Sequence, residues 1–536
     1  MMINELKSLL TSLLVLSAIV DSWGQNHQGR LDIVDIQQYS FELNLYDTTD
    51  RIEARASIVL TFKKPVDTLH LDFVARKSSG LGMTVHKVML DDEKQLFTHR
   101  NDSLLITRDG GSYSGKVVFD IYYSGIPADG LLIARNLYGD QTTFGDNWPN
   151  RARNWLPTID HPSDKALVEF KVLAPPQYQV IANGEKQWER DSAGKLMTHW
   201  KTEVPIPTKV MVIGVANFDI KKLGASDKQK IPVSNWVYPQ EAEEAHQSFA
   251  PTLDILDYLV EKVGPYPYAK LVNVQSKTRY GGMENAGNIF YSEQAVQSSR
   301  DIELLITHEI AHQWFGNSVT EENWHHVWLS EGFATYMTNL YIEDQYGQEP
   351  FQQHLSDQRE RVIEFYKIDP KPVIDQHETN YDSLLNANTY QKGSWFLHML
   401  RKEIGDSIFQ KSLKQYYRKF RNANANTEDF RKLVEVLSGK DLEEFFSQWL
   451  YQPGHPLLEI NWMQSEDSIT FTVNQRQEQL FHFPLEIKTT THLSKSQSHT
   501  VRIESRSQNI SFKTAGRIKR VEVDPDVWLL YEPYRE

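Results

Sequence analysis

The chain has 536 residues and no cysteine, a length that suits roughly three domains of ordinary size. The missing cysteines exclude a disulfide scaffold, a thiol nucleophile, an iron–sulfur cluster and any zinc site with cysteine ligands. A formal charge of −14, from 57 Lys and Arg against 71 Asp and Glu, disfavours binding to phosphate backbones. We therefore expect no nucleic-acid partner.

The N-terminus carries the pattern of a secretory signal peptide. Leu9–Val20 is an apolar run that is too short to span a bilayer but long enough for the core of a signal peptide. Small residues at Ser22 and Gly24 suit cleavage before Gln25. We expect residues 1–24 to be a signal peptide, and the mature chain to be periplasmic or secreted without stable membrane insertion. A buried N-terminal helix is the alternative.

Alternation of apolar and polar residues dominates from about residue 30 to 220. The apolar positions of three such runs are Tyr39, Phe41, Leu43 and Leu45, then Ile58, Leu60 and Phe62, then Leu69, Leu71 and Phe73. A period of two predicts half-buried antiparallel strands. We expect an N-terminal antiparallel β domain over residues 25–220.

Near residue 240 the apolar period changes to three or four, as at Leu253, Leu256 and Val260. Helical patterning continues over 301–317, 328–345, 393–404, 407–420, 427–438 and 441–450. Alternation returns after Gln452, for example at Ile469, Phe471 and Val473. The chain is therefore predicted to be a multidomain α+β protein, with a mainly helical domain over 221–452 and a C-terminal β-sandwich over 453–536.

The first chemical motif is His308-Glu309-Ile310-Ala311-His312. On a helix, positions i and i+4 share a face, so both imidazoles can reach one metal ion while Glu309 lies beside it. Asp301 is a suitable N-cap for this helix, and Gly316-Asn317 is a stop signal. Two surface histidines on an amphipathic helix are the alternative.

A third candidate ligand is Glu331, which follows His312 by 19 residues at the start of another apolar helical run. A carboxylate there is unusual unless it has a buried partner. Two imidazoles and one carboxylate with an open fourth position are the pattern of catalytic zinc sites, whereas structural zinc sites are closed. These three residues are the predicted metal ligands.

The second motif runs from Tyr280 to Asn288 and contains the pair Gly281-Gly282 followed by Glu284. Paired glycines let a backbone approach a ligand closely and can expose N–H and C=O groups to an extended peptide. The Glu284 carboxylate could bind an ammonium group. By itself the motif is a weak signal, because a glycine turn with an acidic neighbour is usually just a turn.

These motifs together resemble the gluzincin aminopeptidases of the aminopeptidase N type. The resemblance rests on Gly-Gly-Met-Glu-Asn, His-Glu-x-x-His and Trp-Leu-x-Glu-Gly-Phe-Ala in that order. Three further segments match the family: Arg151–Pro157 with Asp160, Tyr390–Gly393, and Phe446–Leu450. The resemblance implies a thermolysin-like, mainly helical catalytic domain and hydrolysis of N-terminal residues from peptides with a free N-terminus.

The resemblance also implies roles for individual residues. One zinc ion per chain would be held by His308, His312 and Glu331. Glu309 would be the general base for a zinc-activated water, and the Tyr390 hydroxyl would stabilise the oxyanion of the tetrahedral intermediate. Without the resemblance, Tyr390 is most simply a buried aromatic residue before a helix.

Substrate contacts follow from the same resemblance. Glu284 would bind the free α-ammonium of the substrate, and the backbone at Gly281 and Gly282 would align the scissile peptide. Met283 and Asn285 are expected to complete this substrate-binding segment. Asp146 lies about where the family often places a glutamine that also binds the amine, and it is a further candidate.

The chain departs from the family pattern in two places. Seven residues after the third ligand, the family commonly has an acidic residue that orients a metal-ligating histidine, and Thr338 stands there. Many relatives continue into a large helical domain that covers the active site, and this chain is expected to be a short form without it. A more open cleft is the expected consequence.

Three other functions remain open. A zinc endopeptidase could use the same scaffold. Loss of the Glu284 charge should raise KM for a free N-terminus in an exopeptidase and barely matter in an endopeptidase. An epoxide hydrolase like the leukotriene-processing relative would depend on the helical domain that this chain is expected to lack. A non-catalytic peptide-binding relative would be expected to have lost some of the chemical groups named above, all of which are present.

Overall fold

The computed structural model describes residues 27–297, 302–514 and 516–535. The predicted signal peptide, residues 1–24, and the predicted N-cap Asp301 lie outside these ranges. The described residues form two compact units. The first holds the chain up to Asp257 and from Tyr266 to Ile306, and the second holds Tyr258–Pro265 and the chain from Thr307 onwards. The domain limits at 24/25, 220/221 and 452/453 stay predictions.

The first unit is dominated by a nine-stranded sheet in which one face of each central strand is buried. Eight of its strands lie in the order Glu185–Ser192, Lys195–Lys201, Lys165–Ala174, Val34–Asn44, Ile52–Val66, Tyr113–Ile126, Gly82–Leu90 and Glu93–Lys94, and Ile206–Pro207 pairs with Lys165–Ala174. The buried positions of Val34–Asn44 include Tyr39, Phe41 and Leu43, as the alternation predicts. The N-terminal β domain is confirmed.

One pairing in this sheet differs from the antiparallel expectation. Val34–Asn44 runs parallel to Lys165–Ala174, with Phe41 opposite Phe170. Their rings stack with centroids 5.5 Å apart. Parallel neighbours need a long connection, and here more than a hundred residues intervene. Local alternation carries no information about such a pairing.

Three smaller sheets complete the first unit. A three-stranded sheet contains Thr68–Asp72, Ser103–Thr107 and Leu96–Arg100, and a four-stranded sheet contains Gln179–Ala182, Ile213–Ala216, Gln141–Gly145 and Leu131–Arg135. A five-stranded sheet has the order Asp219–Ala225, Pro232–Val237, Leu271–Ser276, Asn288–Ser292 and Gly282–Met283. The candidate substrate-binding segment thus forms the outermost strand of that sheet.

Helices begin to dominate near residue 240, as predicted. The helices up to residue 311 are His27–Leu31, Ala242–Ser248, Thr252–Lys262, Glu293–Gln297 and Glu303–Ala311. Those that follow are Trp328–Tyr346, Gln348–Ile368, Gly393–Ile404, Asp406–Phe420, Thr427–Ser438 and Glu443–Phe446, with π-helical turns at Asn388–Lys392 and Ser447–Tyr451. Within the described ranges, no helix has both the length and the apolarity needed to cross a membrane.

Among the described residues the longest helix is Gln348–Ile368, and it is absent from the sequence-based prediction. Its buried residues are Phe351, Leu355, Gln358 and Val362, which recur at three or four positions. Most of its remaining residues are charged or polar, so the apolar stripe is narrow. The helical spacing of Phe351, Leu355 and Val362 was the signal in the sequence that could have predicted this helix.

The last part of the second unit is built from strands. A four-stranded sheet has the order Ser507–Lys513, Ser468–Gln475, Leu457–Gln464 and Glu532–Pro533, and a three-stranded sheet has the order Ser496–Ile503, Phe483–Thr491 and Ile518–Val523. Earlier in the second unit, a separate two-stranded sheet joins Val319–Glu321 to Ala423–Ala425. The strands predicted after Gln452 are present, and their arrangement as a β-sandwich stays a prediction.

The motif Arg151–Pro157 with Asp160 builds a buried ion pair in the first unit. The Asp160 carboxylate is fully buried and accepts hydrogen bonds from Arg153 Nε at 3.1 Å, from the Arg153 backbone N–H at 3.1 Å and from the Thr208 hydroxyl at 3.0 Å. A buried charge is tolerated when its partners neutralise it and satisfy its lone pairs. Asp160 therefore links the segment Arg151–Pro157, through Arg153, to Thr208.

We expect the Asp160→Asn variant to lower the free energy of unfolding by about 3–5 kcal/mol, because it removes the charge of a buried pair but not its volume. Chemical denaturation of the full chain measures this change. The matched control is Asp120→Asn, which breaks the exposed Arg55–Asp120 pair at 3.0 Å and should cost less than about 1 kcal/mol. Equal effects of the two substitutions would contradict a special role for the buried pair.

Candidate metal centre

The helix Glu303–Ala311 carries His308 and Glu309, and His312 follows its last residue. The His312 backbone N–H still bonds to the His308 carbonyl at 3.2 Å, so the i, i+4 geometry of the two imidazoles is kept. Beyond Ala311 the backbone forms 3₁₀-type hydrogen bonds, in which the N–H groups of Gln313 and Trp314 bond to the carbonyl groups three residues earlier at 3.0 and 3.1 Å. The helix thus ends before the predicted stop signal at Gly316-Asn317.

The helix Trp328–Tyr346 carries Glu331 in its first turn, and its first fifteen residues are all buried. Glu331 itself is 4% exposed. A carboxylate in such a position needs partners that compensate its loss of hydration. Those partners come from the histidine motif.

The predicted ligand residues His308, His312 and Glu331 converge on one point. Glu331 Oε2 lies 3.4 Å from His308 Nε2 and 3.2 Å from His312 Nε2, and the two Nε2 atoms are 3.0 Å apart. In a tetrahedral zinc site with metal–ligand bonds of about 2.0–2.2 Å, ligand atoms are separated by about 3.3–3.5 Å. The three donors therefore fit a zinc ion, and this is the metal-binding group found in the described part of the chain.

The charges of the group also suit a metal. Burial alone would raise the pKa of Glu331, but the charge of His312 and hydrogen bonds from both histidines outweigh it and hold that pKa below its ordinary value. In the metal-free group the protonated histidines thus keep the carboxylate ionised, and a bound metal ion would take the place of their Nε2 protons and supply the compensating charge. His308 is only partly buried, unlike the other two residues, so the group is accessible from one side.

Tyr390 lies close to this group. It belongs to the π-helical turn Asn388–Lys392, and its ring is nearly parallel to that of His308, with centroids 5.9 Å apart and 14° between the planes. Single π-helical turns are frequent at functional sites. The sequence predicts a role for Tyr390 only through the family resemblance, and the structure places it next to a metal ligand.

Two glycines let the Tyr390 turn approach the Glu331 helix. A Cβ atom on Gly332 would lie 3.0 Å from backbone atoms of Gly393, and a Cβ on Gly393 would lie 3.1 Å from the Gly332 Cα. Backbone atoms cannot yield as a flexible side chain can, so the crossing requires the small residues on both sides. This pairing is absent from the sequence-based predictions, although each glycine stands next to or near a candidate site residue in its motif.

Glu309 is 5% exposed and follows the first ligand on the same helix. In the H-E-x-x-H pattern the glutamate beside the first histidine is the expected general base. The residue itself stays a predicted catalytic group.

The segment Gly281–Asn285 lies in the first unit. Gly282 and Met283 pair with Tyr291 and Phe290 in antiparallel register, and the Gly281 carbonyl accepts from the Ser292 N–H at 3.0 Å. Met283, Glu284 and Asn285 are buried. The other edge of this strand has no strand partner in the described chain.

Asp146, also in the first unit, is fully buried in an ion pair. Its Oδ1 atom lies 2.5 Å from Arg151 Nη2, and its Oδ2 atom accepts from the Thr278 hydroxyl at 3.4 Å. Burial raises the pKa of Asp146, while the charges of Arg151 and Arg279 oppose that shift. These contacts give Asp146 a structural role in holding the chain before Tyr280. Its predicted contact with a substrate amine stays a prediction.

Comparison with known proteins identifies the family. The model of the peptidase family M1 domain matches residues 250–449, and that of the peptidase M1 N-terminal domain matches residues 36–210. The chain belongs to peptidase family M1, as the motifs predicted. Together with the His-His-Glu group, this membership implies zinc as the metal.

Among individual relatives, the chain is 28% identical to "Aminopeptidase 2, mitochondrial" of Saccharomyces cerevisiae over 460 residues, which cover 80% of this chain and 47% of that protein. It is 24% identical to "Leucyl aminopeptidase" of Saccharolobus solfataricus, covering 79% of this chain and 53% of that protein. The chain thus spans about half the length of these relatives.

A solved structure shares the fold. The M1 zinc metallopeptidase from Deinococcus radiodurans superposes with a TM-score of 0.68 at 24% sequence identity. The match covers 79% of this chain and 95% of that chain.

We expect the Gly332→Ala variant to bind zinc more weakly and to lower the free energy of unfolding by about 1–3 kcal/mol, because the added methyl group forces the two backbones apart. Zinc titration and denaturation of the same samples measure both effects. Gly439→Ala is the control for a glycine substitution away from the metal group: its φ of +70° makes the variant lose stability through backbone strain, but no described atom lies within 4 Å of its added Cβ, and it should leave zinc binding unchanged. Unaltered zinc affinity in Gly332→Ala would contradict the importance of the crossing.

Proposed function

We propose that this protein is a zinc-dependent aminopeptidase that hydrolyses the N-terminal residue from peptides. The observation that carries the proposal is the convergence of His308, His312 and Glu331 on one metal position in a chain of peptidase family M1. The names of its relatives support peptides as the substrate class. A free N-terminus as the recognised group is inferred from the motif around Glu284.

When bound, zinc would lower the pKa of a coordinated water and polarise the scissile carbonyl. The chain's own residues would supply the remaining chemistry. The Glu309 carboxylate would take a proton from the attacking water and pass it to the leaving amine. Its low exposure supports this role, since a base in a water-poor site transfers protons without competition from bulk solvent.

Tyr390 would donate its hydroxyl hydrogen to the oxygen that becomes negative as the carbonyl is attacked. The position of its ring beside that of His308 supports this assignment. A donor fixed in advance is more effective than one that must reorient. The Gly332–Gly393 contact and the π-helical turn hold Tyr390 in this way.

The Gly281–Asn285 segment would bind the substrate backbone and its charged end. An outermost strand can add an extended peptide through main-chain hydrogen bonds. Among the described residues, a Cβ on Gly281 would touch only the Leu305 methyl groups, at 4.0 Å, so their packing does not require glycine there. Close approach of a ligand backbone would require it. Glu284 would bind the α-ammonium, with Met283 and Asn285 shaping the same segment.

Export to the periplasm or the exterior completes the proposal. It rests on the signal-peptide pattern of residues 1–24. N-terminal sequencing of the mature protein from its native host tests it. A mature N-terminus near Gln25 is expected, and an intact Met1 would contradict export by cleavage.

The direct test of activity is hydrolysis of aminoacyl-arylamides by the full chain. We expect turnover that a chelator abolishes and added zinc restores, with N-acetylated analogues left intact. The Glu309→Ala variant should keep its zinc while turnover falls by about 10²–10⁴-fold, because only the base is removed. Activity without zinc would refute the mechanism, and equal cleavage of acetylated peptides would indicate an endopeptidase. Zinc binding without turnover in the unaltered chain would indicate a binding protein.

The Glu284→Gln variant tests exopeptidase specificity. Loss of a charged hydrogen bond worth about 1.5–3 kcal/mol should raise KM for substrates with a free N-terminus by about 10–100-fold. Initial rates across a substrate series give the value. Glu243→Gln, which changes an exposed carboxylate in the same unit, should leave KM unaltered. Equal KM values in both variants would favour an endopeptidase.

A further inference from the structure

Ser330 contacts the ring of a metal ligand on the side away from the metal position. The His312 ring is 2% exposed, and its Nε2 atom faces Glu331 at 3.2 Å. On the opposite side, His312 Nδ1 lies 3.1 Å from the Phe315 carbonyl oxygen and 3.1 Å from the Ser330 hydroxyl oxygen. Two oxygen atoms from different elements therefore share the nitrogen that does not bind the metal.

The Phe315 carbonyl decides which ring nitrogen carries the hydrogen. A carbonyl oxygen can only accept, so Nδ1 must donate, and a neutral imidazole then has its lone pair on Nε2. Nε2 is the atom that faces Glu331 and the other histidine. With Nδ1 as the donor, the Ser330 oxygen becomes a second acceptor for the same hydrogen. The ring is thus held from two directions in the one tautomer that can bind zinc.

Gly316 makes this arrangement possible. Its φ of +117° lies in the region that favours glycine, and its N–H bonds to the Val319 carbonyl at 2.7 Å. A Cβ atom there would lie 2.1 Å from the Ser330 hydroxyl oxygen and 3.2 Å from His312 Nδ1. The Ser330 side chain could escape this clash only by rotating away from the histidine. The glycine turn and the serine therefore form one unit with the ring.

Thr338 does not take over this role. Its hydroxyl donates to the Ala334 carbonyl of its own helix at 2.9 Å, a bond that satisfies it locally. Ser330 and Thr338 lie on the same helix, Trp328–Tyr346, and Ser330 directly precedes the ligand Glu331. A single helix turn therefore supplies one metal ligand and orients another.

We propose that Ser330 is a positioning residue for the metal site, whose hydroxyl oxygen, together with the Phe315 carbonyl, fixes the tautomer and orientation of His312 so that Nε2 binds zinc. This inference rests on the proposed zinc function. It assigns to Ser330 a supporting role for His312, of the kind that the family resemblance gives an acidic residue at position 338 for His308. It also gives glycine at position 316 a second reason beside its φ of +117°.

The test compares zinc affinity in the full chain and three variants by competition with a chromophoric chelator at one pH. We expect Ser330→Ala and Gly316→Ala to weaken zinc binding by about 10–100-fold, the range typical for groups that orient a ligating histidine. Thr338→Ala, the matched control on the same helix, should stay within about twofold of the unaltered chain. Absorption spectra of the Co²⁺-substituted proteins should change in the first two variants and not in the control.

Each outcome is decisive for one claim. Affinity and spectrum unchanged in Ser330→Ala would overturn the inference, as would equal losses in Thr338→Ala. Failure of the unaltered chain to bind zinc would instead refute the proposed function. Ser330→Ala decides the inference, because it removes one hydroxyl and leaves the backbone unstrained. Gly316→Ala also strains the backbone at φ +117°, so its loss of zinc affinity supports the inference only together with the loss in Ser330→Ala.

Discussion

The buried carboxylate of Glu331 is the constraint on which the arrangement of the second unit depends. An ionised carboxylate inside a packed helix is costly unless charges and hydrogen bonds compensate for lost hydration. Without a metal, protonated imidazoles at 3.2 and 3.4 Å provide that compensation, and a zinc ion would provide it once the imidazoles are neutral ligands, so the helices Glu303–Ala311 and Trp328–Tyr346 must keep this separation. The same spacing suits a zinc ion. The stability of the helix pair and its capacity to bind the metal are therefore parts of one electrostatic arrangement.

Small residues rather than large ones hold the site at this spacing. Gly332 and Gly393 allow the turn with Tyr390 to touch the helix of Glu331, backbone against backbone. Gly316, in contrast, leaves room for side-chain atoms, namely the Ser330 hydroxyl oxygen and His312 Nδ1. Backbone contacts are stiffer than contacts between long side chains, because no rotamer can change to relieve them. Catalytic geometry tolerates errors of only about 0.5 Å, and stiff contacts of this kind suit that tolerance.

The metal group was predictable from sequence because its signals are local. The i, i+4 spacing places His308 and His312 on one face, and a carboxylate at an apolar helix start indicates a buried partner. Contacts distant in sequence were not predictable. Gly332 and Gly393 lie on different elements, and the parallel pairing of Val34–Asn44 with Lys165–Ala174 leaves no trace in either strand's alternation. The helix Gln348–Ile368 was missed because its stripe of Phe351, Leu355 and Val362 is narrow among charged residues.

The length of the outermost strand bears on the specificity of the proposed reaction. Gly282–Met283 is two residues long, so a peptide added to it could form few main-chain hydrogen bonds. Each such bond contributes a net of only about 0.5–1.5 kcal/mol, which cannot by itself select one register along a peptide. A charged end group bound by Glu284 would fix the register with a single stronger interaction. A short edge strand followed directly by a buried carboxylate is therefore better suited to reading the end of a peptide than its interior.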